Sequence, residues 1–536
     1  MNSLRTGLSR REWLQCVPAL VGGLWCPAHA QTRPAWQAEP FALGVASGAP
    51  TANGIVLWTR LLGSLAQDLR DAVEVRWEVA HDAQFKQPVQ QGRTAAVAAL
   101  AHSVHVEVNG LEPDRWYHYR FTAGDAVSQV GRTRTLPAPG ADVARLRLAY
   151  ASCQRWEQGY FGAYRHMLAE DVDLVLFLGD YIYETTSQSA VVRDFAQGPM
   201  TTVATIAAAQ NLAGYRARYA AYKQDPHLQA MHAACPWLLT WDDHEVQNDY
   251  AGLQAGRTGV KVADFAARRA AAYQAYYEHQ PLRSAVLTRA LAGLGQGAEM
   301  RLYGATSFGR LASLALLDAR QYKDPQACNA NGVAGASTLN PQGCAAWADP
   351  ARSLLGRVQE QWLGEHLAAQ RESTWTVLGQ QTLFGERRLR PAPDARWWND
   401  GWDGYAPART RLIQALQGSG AANPVLLGGD VHENWVGHVL ADYADPDSKR
   451  IGVEFCGTSI TSLGGTQARV QRVLHDNPHF VFAEGERRGY GVAEFTPKQL
   501  QVRLRVVDDV AQPETGISTL AQFSVEAGQP QVQRDG

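Results

Sequence analysis

A chain of 536 residues, 46% hydrophobic and 19% charged, is long enough for more than one domain and too apolar to be disordered. Its formal net charge of −2 and pI near 6.7 exclude a general affinity for nucleic acid or anionic membrane, both of which call for a basic face.

At the N-terminus, Ser9-Arg10-Arg11-Glu12-Trp13-Leu14 resembles a twin-arginine export signal. A mildly apolar stretch from Cys16 to Trp25 follows, then Ala28-His29-Ala30, which suits cleavage before Gln31. The apolar stretch is too short to span a bilayer. Residues 1–30 are therefore expected to be a signal peptide read by the twin-arginine translocase. The mature chain is expected to be periplasmic or secreted, with no stable membrane anchor. That route carries folded proteins, so it suits a cofactor loaded before export. Removing the signal leaves Cys153, Cys235, Cys328, Cys344 and Cys456, an odd number. Cys328 and Cys344 bracket a Gly/Asn/Ala-rich segment and make the most natural disulfide.

Residues 38–138 read as an all-β domain. Residues 73–79 and 103–108 alternate with period two, and Asn109-Gly110 marks a turn. Residues 116–121, after Leu111-Glu112-Pro113, resemble the later strands of fibronectin type III-like sandwiches. Pro137-Ala138-Pro139-Gly140 reads as a linker. Over 145–520, strand-like runs alternate with helical patterns, which predicts a layered α/β core. Strands are expected at 146–153, 314–318 and 375–379, and helices at 161–169, 263–279 and 359–370. Residues 491–495 and 500–506 read as an antiparallel pair that finishes the sheet.

Three runs in this second region carry the chemistry. Residues 173–184 (DLVLFLGDYIYE), 237–245 (WLLTWDDHE) and 425–432 (VLLGGDVH) each pass from a short apolar stretch to carboxylate, imidazole or phenol. The apolar stretches suit buried parallel strands. In open α/β sheets ligands gather at the carboxyl ends of strands. Oxygen donors and imidazoles arriving there from several strands suit a multi-metal site. Asp180 follows Gly179, where the backbone can turn sharply and the carboxylate can bridge two cations. Tyr183 lies two residues beyond Tyr181, so an extended segment puts both on one face.

The chain resembles the PhoD-type alkaline phosphatases, within the calcineurin-like metallophosphatases, over nearly all of its length after the signal. The resemblance rests on Ala151-Ser152-Cys153-Gln154, Gly179-Asp180-Tyr181-Ile182-Tyr183-Glu184, Trp241-Asp242-Asp243-His244-Glu245-Val246, Leu317-Asp318-Ala319-Arg320-Gln321-Tyr322, Trp402-Asp403-Gly404-Tyr405 and Gly429-Asp430-Val431-His432. It implies an α/β fold, a layered calcineurin-like core preceded by a small fibronectin- or Ig-like sandwich. It also implies a centre that pairs ferric iron (Fe³⁺) with calcium (Ca²⁺). The implied iron set is Cys153, Asp180, Tyr183 and His432, since thiolate and phenolate suit Fe³⁺ and serve calcium poorly. Apart from the resemblance, Cys153 reads equally as a buried core cysteine. Asp180 is shared with calcium, for which Asp243, Asn248, Asp403 and Asp430 form an acidic set. Relatives often carry two consecutive asparagines where this chain has Gln247-Asn248-Asp249, so Asn248 and Asp249 both stay open as ligands. Asp403, beside Gly404, equally suits a turn.

His244, next to Asp243, is placed to donate a proton to the leaving oxygen or to hold a phosphate oxygen. Arg320 and Arg409 either clamp phosphate or pair with carboxylates. The resemblance thus implies an exported metal-dependent alkaline phosphatase or phosphodiesterase acting on small phosphate mono- or diesters by metal-activated hydroxide or oxide. Two rival readings are a dinuclear transition-metal nucleotidase or nuclease and a non-catalytic cell-surface binding protein. Cys153 and the scarcity of strand-end histidines speak against the first, and the intact ligand set against the second. No nucleic-acid-binding partner is expected.

Overall fold

The computed structural model describes residues 36–63, 72–187, 189–194, 208–256, 264–287, 299–329 and 334–535. The signal expected over 1–30 lies outside them.

Alternation along the buried strands sets the layers. In the strand Leu174–Leu178, Leu174, Leu176 and Leu178 point into one core while Val175 and Phe177 point into another. The first core lies between two sheets. A ten-stranded sheet supplies Leu148, Tyr150 and Leu176, and a seven-stranded sheet supplies Leu314, Val377, Leu427 and Phe455. The second core fills the space between the ten-stranded sheet and the helices Gly162–Met167, Leu212–Lys223, Pro226–Ala234 and Phe265–His279. On the far face of the seven-stranded sheet, Leu378 and Leu426 meet the helices Arg357–Ala369 and Ala406–Ser419. The order is helix, sheet, sheet, helix, as the expected layered α/β core requires.

Parallel pairing then fixes where chemistry can gather. Leu146–Ala151, Leu174–Leu178 and Trp237–Thr240 run parallel in the first sheet. Ala312–Leu316, Trp375–Gly379, Pro424–Gly428 and Arg450–Cys456 run parallel in the second. Gly489–Phe495 and Gln499–Val507 form the expected antiparallel pair. The helix expected over 161–169 is α-helical only from Gly162 to Met167 and tightens into a 3-10 turn over Leu168–Glu170.

Toward the N-terminus, a five-stranded sheet including Val73–Ala80 and Trp116–Ala123 packs on the strands Val45–Thr51, Gly54–Arg60 and Ser103–Asn109 around Ile55, Leu57, Val75, Tyr117 and Phe121. The sandwich has one feature that alternation could not reveal. Its second sheet continues into the ten-stranded sheet through the parallel contact of Gly48 with Trp237. A Cβ at position 48 would stand 2.7 Å from Pro281 and 2.9 Å from the Trp237 carbonyl, so glycine is what lets the two backbones meet. Cys328 and Cys344 form the expected disulfide, and Cys153, Cys235 and Cys456 are free and buried. Among the described residues no helix is long and apolar enough to cross a membrane.

Candidate metal centre and active site

The strand ends leave extended geometry abruptly. Cys153, Asp180, Asp430 and His432 all have positive φ, between 56° and 65°. Each non-glycine residue held there costs of order 1 kcal/mol or more, and such strain concentrates where a side chain must be aimed. Gly179 makes the turn before Asp180 possible: with φ of 104°, a Cβ there would sit 2.5 Å from the Asp242 Cβ. The neighbouring turn is tied to this one by backbone bonds from Cys153 N to Gly179 O and from Gln154 N to Asp180 O, each 3.1 Å. Glu245 braces the other side, accepting from the amides of Asp180 (3.2 Å), Tyr181 (2.5 Å) and Asp242 (2.8 Å).

These turns bring the expected iron donors together. Ligand atoms of Cys153, Asp180 and His432 lie within 4.8 Å of one another. Tyr183 Oη stands 3.2 Å from His432 Nε2 and accepts from Ser462 Oγ at 2.7 Å. His432 Nδ1 lies 2.7 Å from the Leu463 carbonyl. A carbonyl only accepts, so Nδ1 carries the proton and Nε2 presents its lone pair to the cluster. Burial pushes the Cys153 thiol and the Tyr183 phenol well above their ordinary values, with Asp180 adding to both, and lowers His432 to about 3.

Asp180 belongs to a second group as well, with Asp243 and His244. Burial pushes its carboxyl far above the usual range; His244 opposes this, while Asp243, Glu245 and Asp430 add to it. A third group joins Asp243, Asp249 and Asp400. Burial, then Asp400 and Asp243, raise Asp249 to about 7. So many carboxylates in one buried place, with Asp242 Oδ2 buried and without a hydrogen-bond partner, fit a site that takes cations.

Several expected site residues fall elsewhere. Asp403 is not brought to the acidic group: its oxygens accept from Arg409 Nη1 (2.5 Å) and the Arg387 amide (3.0 Å). Asp400, three residues earlier and unforeseen, stands in the acidic group instead. Of the open pair, Asp249 joins the group, and Asn248 adjoins the site through its backbone N–H, which donates to Glu184 Oε1 at 2.9 Å. Arg409 also binds Glu386 at 3.0 Å and is buried, so it pairs with carboxylates rather than facing open space. Arg320 is likewise buried. Its Nε donates to Asp242 and its Nη1 to Asp400 at 2.5 Å, while Nη2 lies 3.6 Å from Asp243 and 4.0 Å from Asp430. Its role here is counter-charge among four carboxylates, with Lys323 also bonded to Asp400. Sequence reading missed Glu184, Asp242, Glu245 and Asp400; the first three lie inside the quoted segments, where only their density of charge marked them.

His244 packs its ring 4.1 Å from that of Tyr183 and places Nδ1 2.7 Å from Glu184 Oε2. Burial works against its charge, but Asp180, Glu184 and Asp243 raise its pKa to about 10. Together the groups can hold two or more cations around one shared carboxylate, with an imidazole beside them.

Comparison with known proteins places the chain in a family. Residues 148–504 match the family model of the PhoD-like phosphatase, and residues 27–137 match that of the PhoD-like phosphatase N-terminal domain. Alkaline phosphatase D of Bacillus subtilis (strain 168) is 42% identical over 511 residues, covering 92% of this chain and 82% of that protein. A solved structure of PhoD superposes with a TM-score of 0.84 at 41% identity, covering 94% of this chain and 93% of that one. With two thirds of the chain inside the catalytic model and a relative this similar along nearly its whole length, this protein belongs to the PhoD-like phosphatase family.

Proposed function

We propose that this chain is an exported, metal-dependent alkaline phosphatase or phosphodiesterase that hydrolyses small phosphate esters. The observation that carries the reading is the shared Asp180, which stands at once in the Cys153–His432 group and in the Asp243–His244 group. A thiol, a phenol and an imidazole at one end suit ferric iron, and the oxygen-only set at the other suits calcium. Cys153, Asp180, Tyr183 and His432 would hold the iron; Asp180, Asp243, Asp249 and Asp430 would hold calcium. When bound, these cations polarise the phosphoryl group and neutralise the charge that develops on it. His244 is the residue beside them that can give a proton to the leaving oxygen or hold a phosphate oxygen. Arg320 keeps the acidic ligands together by offsetting their mutual repulsion. The layered α/β core and the sandwich in front of it support a calcineurin-like reading of the fold. The twin-arginine segment at Arg10-Arg11 suits delivery of a metal-loaded protein to the periplasm.

Metal analysis of the purified protein tests the reading. Iron and calcium are expected, with a visible band from phenolate-to-iron charge transfer that Tyr183→Phe removes. A colourless protein carrying zinc would sink the iron assignment. Replacing Arg10 and Arg11 by lysine should hold the enzyme in the cytoplasm, and normal delivery of that variant would point to another export route.

A further inference from the structure

Glu184 is fully buried beside the site, and the reading above gives it no task. Its two carboxylate oxygens have separate partners. Oε2 lies 2.7 Å from His244 Nδ1, and Oε1 accepts the Asn248 amide at 2.9 Å. Its own carbonyl accepts from Ala209 N at 2.7 Å, and the Ala209 carbonyl in turn accepts from Arg268 Nη2 at 2.9 Å. Arg268 Nε also donates to Tyr215 Oη at 2.8 Å, and Tyr215 Oη donates to the Val246 carbonyl at 2.5 Å. The main chain of Glu184 is thus tied down, and the loop that carries Asp243, His244 and Asp249 is fastened to its carboxylate through the Asn248 backbone N–H.

We propose that Glu184 is the positioning residue of the reaction, orienting His244 through one oxygen and the 243–249 loop through the other. A carboxylate accepts and does not donate, so the His244 Nδ1 facing it carries a proton. Nε2 is then the ring atom left for the substrate. Rotation of the ring is blocked on one side by Tyr183, whose ring centre is 4.1 Å away. The same chain segment therefore supplies the phenol of Tyr183 and the anchor of the imidazole packed at a tilt against it. Groups that orient a metal-site imidazole are worth roughly 10–100-fold in affinity or activity when removed, and a loss of that order is expected for one that orients His244. Their loss appears in kcat more than in KM, because the substrate still docks but meets a badly aimed ring. This inference rests on His244 acting on the substrate.

Glu184→Gln is the informative variant. It keeps the shape, but a carboxamide has one acceptor oxygen where two N–H donors need one each. We expect kcat to fall roughly 10–100-fold, with KM within about 2-fold and iron content and the visible band unchanged. The loss should be larger for alkyl phosphates than for nitrophenyl phosphate, whose leaving group needs no proton. In a His244→Ala background the same change should add less than about 2-fold, because residues acting through one another are not additive. If Glu184→Gln does not fold, Glu184→Asp, which keeps both acceptors, carries the same cycle. Equal losses with and without His244, or loss of iron from the Glu184 variant, would overturn the inference and leave the role of His244 standing. Full activity in His244→Ala would overturn the role of His244 itself, and this inference with it.

Discussion

The two ends of the site hold their charge in opposite ways. Around Cys153, Tyr183 and His432 the donors are neutral: burial pushes the thiol and the phenol up and the imidazole down. Around Asp243, Asp249 and Asp400 burial still raises Asp249 to about 7, but here the protein has built in its own cations. Arg320 lies among four carboxylates, and Arg320 and Lys323 hold Asp400 well below the carboxylate range despite its burial. A metal entering the first end must displace protons from sulfur and phenol, so its binding is coupled to proton release and is favoured by a strongly acidic ion. A metal entering the second end joins an arginine and a lysine already in place, which suits a weaker, exchangeable ion. Asp180 belongs to both ends.

The two ends depend on each other most at that shared residue. Asp180→Asn removes the one negative charge between the two cation positions, so at least one metal should be lost and hydrolysis should fall to background. Metal content per chain and turnover on nitrophenyl phosphate are the measurements. Retention of both metals would show that the two ends do not depend on each other.

Arg320→Met is the next largest effect and falls on one end only. Deleting one member of a buried charge network typically costs about 3–5 kcal/mol, because its partners are left uncompensated. Here the partners are carboxylates, so added calcium should recover part of the loss by occupying the site in the folded state. Denaturant unfolding with and without calcium reads both quantities. An unfolding curve insensitive to calcium would mean that Arg320 and the cation do not share a set of carboxylates.

Much of this arrangement was legible in the chain. The three apolar runs became parallel strands because each is bounded by residues that cannot continue one, and their ends carry Asp180, Asp243, Asp430 and His432 where expected. The helices Leu212–Lys223 and Pro226–Ala234 escaped the reading although Asn211 and Asp225 cap them, the latter before a proline. The core face of the first is tyrosine and alanine (Tyr215, Tyr219, Ala221, Tyr222), which blurs a helical hydrophobic period, and the second is short, with only Leu228 and Met231 in the core. Pairing of charges was the harder matter. Nothing local distinguishes Asp400 from Asp403, or a phosphate-facing arginine from one enclosed by carboxylates. Those assignments are decided by contacts across 78 residues for Arg320–Asp242 and 80 for Arg320–Asp400. The continuity of the N-terminal sheet with the core was invisible for the same reason, since it depends on one glycine meeting a distant strand.

The acidic end has a further prop that the iron end lacks. The Cys328–Cys344 loop, with a sequence separation of 16, is stitched to the segment carrying Asp400. Asn399 Nδ2 donates to the Ala327 carbonyl at 2.9 Å, Thr338–Leu339 pairs with Trp397–Trp398, and Trp347 Nε1 donates to the Asp403 carbonyl at 2.6 Å. Cys328→Ser should lower stability by about 3 kcal/mol, the chain-entropy value for a loop of this size. It should also weaken calcium binding while the visible iron band stays unchanged. Calcium titration of the variant checks this; unaltered affinity would detach the loop from the metal site.

The smallest expected effect separates the metal site from the rest of the fold under acid. His105 joins the N-terminal strand Ser103–Asn109 to the core helix Phe265–His279, stacking on Tyr277 at 4.2 Å. Its Nε2 lies 2.9 Å from the Tyr277 carbonyl and 3.0 Å from the Gln280 carbonyl, while its buried Nδ1 has no hydrogen-bond partner. Burial lowers its pKa to about 4 from the ordinary 6.5, although both carbonyls and Glu107 oppose the shift. Between those two values the unfolded chain takes up a proton that the folded one refuses. Stability contributed by the neutral ring is therefore complete above pH 6.5 and is lost as the pH falls toward 4. The loss is about 2–3 kcal/mol by pH 4.5. Glutamine at 105 keeps a donor for the carbonyls and has nothing to protonate. His105→Gln should be less stable than the parent at neutral pH, where the stacked ring is missing, and the gap should close as the medium is acidified. A gap that stays constant from pH 7 to 4.5 would show that the acid sensitivity of this protein resides in its metal ligands and not at this junction.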